Sequence, residues 1–553
     1  MTTAYYKKLF GAIARVSAAR PLAFMLTLIG ASCAPAKLPE PASTSKAPPP
    51  PATSDPTVVS FGQGPQDLVS SLSKQDGGQK KEDQASDPKA KSTAPSEASP
   101  SAPAEPKAGG DPSRLTAVAQ FEKINQKPDS KSPVIGVIRA GQSVRIKGDG
   151  PLREGFATQC AAGWYAIEPR GYVCPGSRSS VGTPDLKARA AAEVLPSESS
   201  VIGFRVGHSI GAPIYLRIPT KAEQRATEPG LDDHLARELP PDEAAGGAVD
   251  KTPAGSPPSD VLAQYFAQVK GELVDKVGAF DGRKLAWSRE FDAEGRTWLV
   301  TPDLGLVPKD KVRVKPVPAL AGVDLRNGPK LPIAFFWLKD SPKYQDNGSG
   351  TPQPSTEMWP RHSYIQVTGE VLRKNTGTFL KARDGTYVRR DAVTVIQGKD
   401  KRPKGVDEDD KWVSVRVTHG YLIAYEGDTP VYTTAISPGI EGVGHGRRGQ
   451  GTRPGTHTVV WKFRSWQMAG EERGKEWIVD EVPFVAFYKG NFGLHGAWWH
   501  NDFGRPKSHG CVNIPPAAAK ALFSWIEPDV PEGWYGVATY YPHAPGTVID
   551  IRP

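Results

Sequence analysis

The chain has 553 residues and a formal net charge of +9, too long for one domain on the usual scale of roughly 100–200 residues each. The charge suits an anionic surface such as nucleic acid, membrane or cell-wall polymer. The basic residues are scattered rather than clustered, which argues against a nucleic-acid face.

At the N-terminus, Lys7, Lys8, Arg15 and Arg20 precede an apolar run at 21–32, of signal-peptide length and too short to span a membrane. Cys33 closes the run. Residues 1–33 therefore read as an export signal, and they resemble the lipoprotein type, in which Cys33 is acylated and becomes the mature N-terminus. Gly30 stands where Leu is usual, and ordinary cleavage near Ala34 or Ala36 is the alternative. Residues 34–112 are dominated by Pro, Ala, Ser, Lys and Asp, with Phe61 the only aromatic. Such a stretch buries too little apolar surface to offset chain entropy, and it reads as a disordered tether.

Short strands are expected next, at Val134–Ile138, Ser143–Ile146, Trp164–Ile167 and Gly171–Val173, separated by Gly, Asp and Pro turns. Residues 113–180 resemble a bacterial SH3-like module, with the Trp164…Gly171-Tyr172-Val173 ending as the recognisable part. Looser echoes of that ending, Trp298…Gly305-Leu306-Val307 and Phe379…Gly385-Thr386-Tyr387-Val388, suggest further SH3-like or small β modules across 181–400. Residues near 225–260 read as an internal linker. Of the four cysteines, Cys160 and Cys174 lie close together. In an exported protein they are expected to form a disulfide, leaving Cys511 free.

A charged break at 399–411 precedes a region holding eight of the thirteen tryptophans. Val413, Val415 and Val417 alternate with Ser414 and Arg416, as in a half-buried strand. Tyr421–Tyr425, the turn 426–428 and Val431–Ser437 read as a hairpin, and Pro515–Ile526 as an amphipathic helix.

The most informative segment is Leu494-His495-Gly496 followed by Ser508-His509-Gly510-Cys511-Val512-Asn513. A nucleophilic cysteine needs a base to take its proton and a polar cradle for the oxyanion. This pattern, a His, a gap, then Ser-His-Gly-Cys, an apolar residue and Asn, resembles the signature of the L,D-transpeptidase (YkuD-like) catalytic domain. The resemblance covers about a quarter of the chain, assigned here to 411–553, and implies a β-sandwich. Mainly β architecture is thus expected for the whole chain. Family members carry an upstream Thr-Pro-x-Gly turn, whereas this chain reads Thr452-Arg453-Pro454-Gly455, with the proline shifted by one.

Carried over residue by residue, the resemblance makes Cys511 the nucleophile and His495 the general base. A backbone carbonyl beside His495 is the implied third member, and Gly496 follows the base as it often does in the family. His509 would support the site from two positions before Cys511, and Ser508 would bond nearby backbone or substrate. Gly510 would admit close backbone approach, with amides near Gly510 and Cys511 as oxyanion donors. Asn513 would fix the backbone or touch substrate. Trp498 and Trp499 either wall a groove or pack.

The implied substrates are peptidoglycan stem peptides, cross-linked 3→3 through a cysteine thioester without metal or organic cofactor. The implied setting is the cell envelope or periplasm, with a lipid contact through acylated Cys33 and no nucleic-acid partner. Alternatives are an L,D-carboxypeptidase, an enzyme anchoring protein to peptidoglycan, and a non-catalytic wall-binding protein. A structural cysteine, or a zinc site built from His495, His500, His509 and Cys511, is a further reading of the motif.

Overall fold

The computed structural model describes residues 110–553 except 154–159, 198–199, 238–255, 445, 447–448, 473 and 540–544. The expected export signal, Cys33 and residues 34–109 of the expected tether lie outside this range. Among the described residues no helix is long and apolar enough to cross a membrane.

The protein is mainly β, and its largest sheet is assembled from three distant parts of the chain. Ten of its twelve strands form one continuous order, with Val312–Val314, Arg205–Ser209 and Lys284–Trp287 at one end, followed by the long hairpin Lys475–Lys489 and Trp461–Glu472. Gly536–Ala538 comes next. Val134–Arg139, Phe121–Asn125, Tyr172–Val173 and Tyr165–Ala166 then continue the order to the other end.

The two junctions have different geometry. Val479 pairs with Lys284 in parallel, and Val134–Arg139 runs antiparallel to Gly536–Ala538 through Gly136↔Val537 and Val137↔Gly536. A Cβ at residue 136 would lie 2.3 Å from the Trp534 ring, so glycine permits this close approach. Trp534 and Val537 complete the apolar core of the N-terminal strands, with Leu115, Ile124, Ile135, Ile138, Val144, Ile167 and Val173.

The junctions also hold buried charge. Arg139 donates two hydrogen bonds to Glu481, at 2.8 and 2.6 Å, and a third to Tyr535. Ser465 completes this cluster through Glu481 and Tyr535. Burial opposes charge on both partners. The Glu481 carboxylate nonetheless holds Arg139 well above the usual guanidinium range, and Arg139 with its neighbouring donors holds Glu481 below the usual carboxylate range. Arg283 pairs with Asp480 at 3.0 Å on the adjacent residue.

Residues 333–396 keep a seven-stranded sheet of their own, in the order Gln353–Trp359, Ser341–Gln345, Tyr387–Arg389, Gly377–Ala382, Tyr364–Lys374, Ile333–Phe335, Thr394–Ile396. Two of the recurring sequence endings give one local pattern. Arg296–Val300, Leu306–Pro308, a 3-10 turn at Lys309–Lys311 and Val312–Val314 match Gly377–Ala382, Tyr387–Arg389, the 3-10 turn Arg390–Ala392 and Thr394–Ile396. Cys160 and Cys174 form a disulfide with Cα atoms 5.8 Å apart.

Two sequence expectations differ from the structure. Residues 221–235, partly inside the expected linker, form helices Lys221–Thr227 and Leu231–Leu235. Thr220 and Glu223 cap the first reciprocally and Leu231 is buried, local signals that a Pro/Ala/Gly-rich composition hid. Residues 238–255 lie outside the description. The Lys411–Arg416 strand, in turn, is buried on both faces rather than one. Val413 and Val415 enter the core beneath helix Pro516–Trp525, while Trp412 enters a second core with Phe335, Trp337 and Phe503.

That strand is central in a six-stranded sheet ordered Val323–Asp324, Thr429–Ala435, Tyr421–Glu426, Lys411–Arg416, Val548–Arg552, Gly455–Thr458. Its parallel partner is the C-terminal strand Val548–Arg552. The expected hairpin 421–437 and helix 515–526 fall at Tyr421–Glu426 with Thr429–Ala435, and at Pro516–Trp525.

Candidate active site

Strands Phe492–Gly496 and Val512–Ile514 run parallel in the register Leu494↔Val512, His495↔Asn513, Gly496↔Ile514. Side chains alternate across a strand, so Leu494, Val512 and Ile514 turn into the core under the helix, and His495 and Asn513 turn to the other face. Cys511 lies two residues before Asn513 and joins that face. His495, His509, Cys511 and Asn513 all line one cavity of about 210 Å³. Its aromatic walls include Trp466, Trp477, Phe487, Phe492 and Trp499.

His495 is 2 % exposed and its Nδ1 lies 3.1 Å from the Gly496 carbonyl oxygen. A carbonyl only accepts, so Nδ1 carries the proton and Nε2 presents its lone pair. Burial pushes His495 down to about 4, partly offset by that backbone bond, so the ring is neutral at pH 7. Burial also pushes the Cys511 thiol up to about 11, opposed by the Gly493 N–H. The resting pair is therefore neutral thiol and neutral imidazole rather than thiolate and imidazolium. In this state the thiol contacts the Asn491 carbonyl at 3.6 Å, and among the described residues no hydrogen bond joins it to His495. Catalytic hydrogen bonds are often unmade before substrate binds.

The Ser508–Cys511 turn is held from within. Ser508 Oγ donates to the Cys511 carbonyl and accepts from Gly510 N–H at 3.0 Å. Gly510 has φ +122°, and a Cβ there would meet the Phe492 ring at 2.5 Å, so the position demands glycine. Its amide is engaged by Ser508, which removes one of the two expected oxyanion donors. Gly496 is also tightly packed, since a Cβ would lie 2.8 Å from Pro483.

The remaining histidines diverge. His509 stacks on Trp477 with ring centroids 4.9 Å apart, and its Nε2 is 3.3 Å from Glu472. His500 Nε2 is 3.1 Å from the Asn513 side-chain amide, while its Nδ1 accepts from Asp502 N–H at 3.3 Å. Among the described residues no group of three or more His, Cys, Asp or Glu side chains is arranged to hold a metal.

The two adjacent tryptophans separate. Trp498 is 1 % exposed in the core, while Trp499 lines the cavity with its ring 5.9 Å from that of His495. Thr452 of the upstream turn is buried and accepts from Gly439 N–H at 2.8 Å. Arg453 covers the Phe492 ring at 4.9 Å.

Sequence reasoning missed Trp466, Trp477, Glu472 and Asn491, which the long hairpin and its exit bring to the cavity, and Lys284, which arrives from the Arg205–Val314 region. Aromatic density beyond residue 411 was the one visible signal for the tryptophans. Nothing local marked Lys284.

Residues 410–551 match the YkuD family, described as the L,D-transpeptidase catalytic domain. No curated protein matches the chain significantly. Solved structures resembling part of it include an L,D-transpeptidase from Xylanimonas cellulosilytica, at 22% identity over 28% of this chain and 65% of that one, TM-score 0.19. An Enterococcus faecium L,D-transpeptidase gives 19%, 29%, 55% and 0.20 for the same quantities. One from Mycobacterium smegmatis gives 14%, 34%, 82% and 0.20. The chain thus spans about two thirds or less of the first two relatives, and the likeness is local. Over residues 410–551 the chain is thus similar to the L,D-transpeptidase catalytic domain of the YkuD family.

Proposed function

We propose that the protein is an exported peptidoglycan L,D-transpeptidase that forms 3→3 cross-links through a thioester on Cys511. The observation that carries this reading is the shared face of two parallel strands, on which a free cysteine and a neutral, tautomer-fixed His495 line one aromatic cavity.

Cys511 Sγ attacks the carbonyl of the diamino-acid residue that precedes terminal D-alanine, and His495 Nε2 takes the thiol proton as the C–S bond forms. A neutral thiol and imidazole suit this timing, because the proton moves only when the thiol attacks. The tetrahedral oxyanion is received by the Cys511 backbone N–H, since that of Gly510 is engaged. Collapse breaks the C–N bond, His495 returns the proton to the leaving amine, and D-alanine departs. The side-chain amine of a second stem then attacks the thioester and loses its proton to His495. The thiol leaves, recovering that proton.

The Gly496 carbonyl is the third member of the triad, holding the imidazole in its tautomer. Asn513 orients His500 and contributes a donor. With His500 Nδ1 accepting, Nε2 carries the proton, so the Asn513 carbonyl oxygen must face it. This also satisfies an oxygen otherwise buried without a partner and turns the NH₂ group away from His500. Ser508 maintains the turn, and His509 supports the cavity wall through Trp477. Residues 1–33 export the chain, with Cys33 as lipid attachment point, and the β modules at 113–400 are SH3-like companions of the catalytic domain.

Disaccharide-tetrapeptide incubated with the protein and with Cys511→Ala tests the reading by product mass. Dimers lacking one D-alanine, absent with the variant, are expected. Tripeptide alone would indicate a carboxypeptidase, and unchanged substrate would leave a wall-binding role.

A further inference from the structure

The catalytic cavity is lined mainly by residues 466–513, but one of its lining side chains belongs to a segment about 200 residues upstream. Lys284 opens the Lys284–Trp287 strand, and its backbone is fixed from both sides. Val479 of the catalytic hairpin pairs with it in parallel, and His208 pairs with it antiparallel. A one-residue slip would turn the side chain to the opposite face, so both pairings hold its direction into the cavity. The neighbouring Arg283–Asp480 ion pair at 3.0 Å, both side chains nearly buried, pins the same register.

Lys507, Glu472 and His509, also at the cavity, have partners among the described residues. Lys507 pairs with Asp502 at 2.9 Å, and His509 lies 3.3 Å from Glu472. Lys284 is half-buried, and its side chain makes no hydrogen bond or ion pair among the described residues. Burial lowers its pKa, and among the described residues no charge measurably opposes the effect. An unmatched ammonium beside an aromatic wall is costly when the cavity is dry, and it is stabilised when an anion enters.

We infer that Lys284 is a specificity-determining residue that binds a carboxylate of the donor substrate beside Cys511. This rests on the peptidoglycan reading for the identity of the substrate. A tetrapeptide stem offers two such groups near the scissile bond, the terminal D-alanine carboxylate and the side-chain carboxylate of the diamino acid. The accessory β region thereby completes the acyl-donor site of the catalytic domain.

Two readouts on the full chain test the inference, with Lys284→Met and Lys284→Arg as variants. The first needs only a reactive thiol: the ratio of Cys511 alkylation rates by iodoacetate and iodoacetamide. The Met variant should lower this ratio about fivefold and the Arg variant should retain it, as expected for one screened charge contact. A ratio unchanged by Met would overturn the inference.

The second readout is kcat/KM on free-acid tetrapeptide, on stem amidated at the diamino acid, and on stem ending in D-alaninamide. Lys284→Met should cost on the order of tenfold or more with the free acid, and clearly less with whichever amide removes the contacted carboxylate. Equal losses on all three would mean that Lys284 only supports the fold. If wild type turns over no stem peptide while the alkylation ratio still depends on Lys284, the transpeptidase reading fails and the anion site stands.

Discussion

Two accessory regions meet the catalytic domain in different ways. The Arg205–Val314 region joins by backbone pairing and buried ion pairs, extending the catalytic sheet through Lys284 and Val479. The region at 333–396 keeps its own sheet and meets the domain through side chains, with Phe335 and Trp337 sharing a core with Trp412, Tyr425, Ala497 and Phe503. Backbone pairing fixes register to the residue and can deliver a chosen side chain, Lys284, into the cavity. Side-chain packing instead braces the segment His500–Gly504. Arg361 donates to the Asn501 carbonyl at 2.6 Å, and a Cβ at Gly504 would lie 2.7 Å from Trp337. One region is built to supply the site, the other to steady the loop behind it.

The largest effect expected belongs to the cavity that both regions surround. The thiolate is the reactive form, and burial raises the Cys511 thiol to about 11, so its neutral form dominates at and below pH 10. Alkylation by iodoacetamide should therefore rise roughly tenfold per pH unit from pH 7 to 10. A plateau already reached near pH 7 would show a preformed thiolate and contradict the neutral pair.

The fused junctions come next. Arg139→Ala leaves Glu481 buried without its ion-pair partner and should cost about 3–5 kcal/mol in denaturant unfolding. A loss below about 1 kcal/mol would mean that the junction rests on apolar packing alone. Gly510→Ala should cost about 1–3 kcal/mol from the positive φ, besides the collision with Phe492, and should reduce Cys511 acylation far more than it lowers overall stability. Equal loss of both would place the residue's role in folding.

The packed region should respond more gently. Phe335→Leu should cost about 1 kcal/mol, because similar volume is kept in a side-chain core. Arg361→Ala, whose ion pair with Asp502 is partly exposed, should cost under about 1 kcal/mol. If either matched Arg139→Ala, the distinction between the two attachments would collapse.

The nucleophile's surroundings were legible because they are local. Six consecutive residues, 508–513, carry the turn, its internal hydrogen bonds and the alternation that brings His509, Cys511 and Asn513 to one cavity. His495 was legible by spacing, although its tautomer depends on the Gly496 carbonyl and its pKa on burial. Lys284 was hidden, because the pairing that places it spans almost 200 residues and leaves no periodic trace. The alternation at 413–417 suggested one buried face, and Trp412 on the other face was buried by a region that sequence reading treated as separate. Trp498 and Trp499 looked equivalent until the chain turned one into the core and the other to the cavity.

The most direct test of the central claim is intact-mass measurement of the rapidly quenched protein during turnover of disaccharide-tetrapeptide, with the adduct located by proteolysis. The account predicts a mass gain equal to the donor minus D-alanine, on the peptide that contains Cys511 and absent from Cys511→Ala. Turnover with no adduct at Cys511, or turnover retained by the variant, would contradict it.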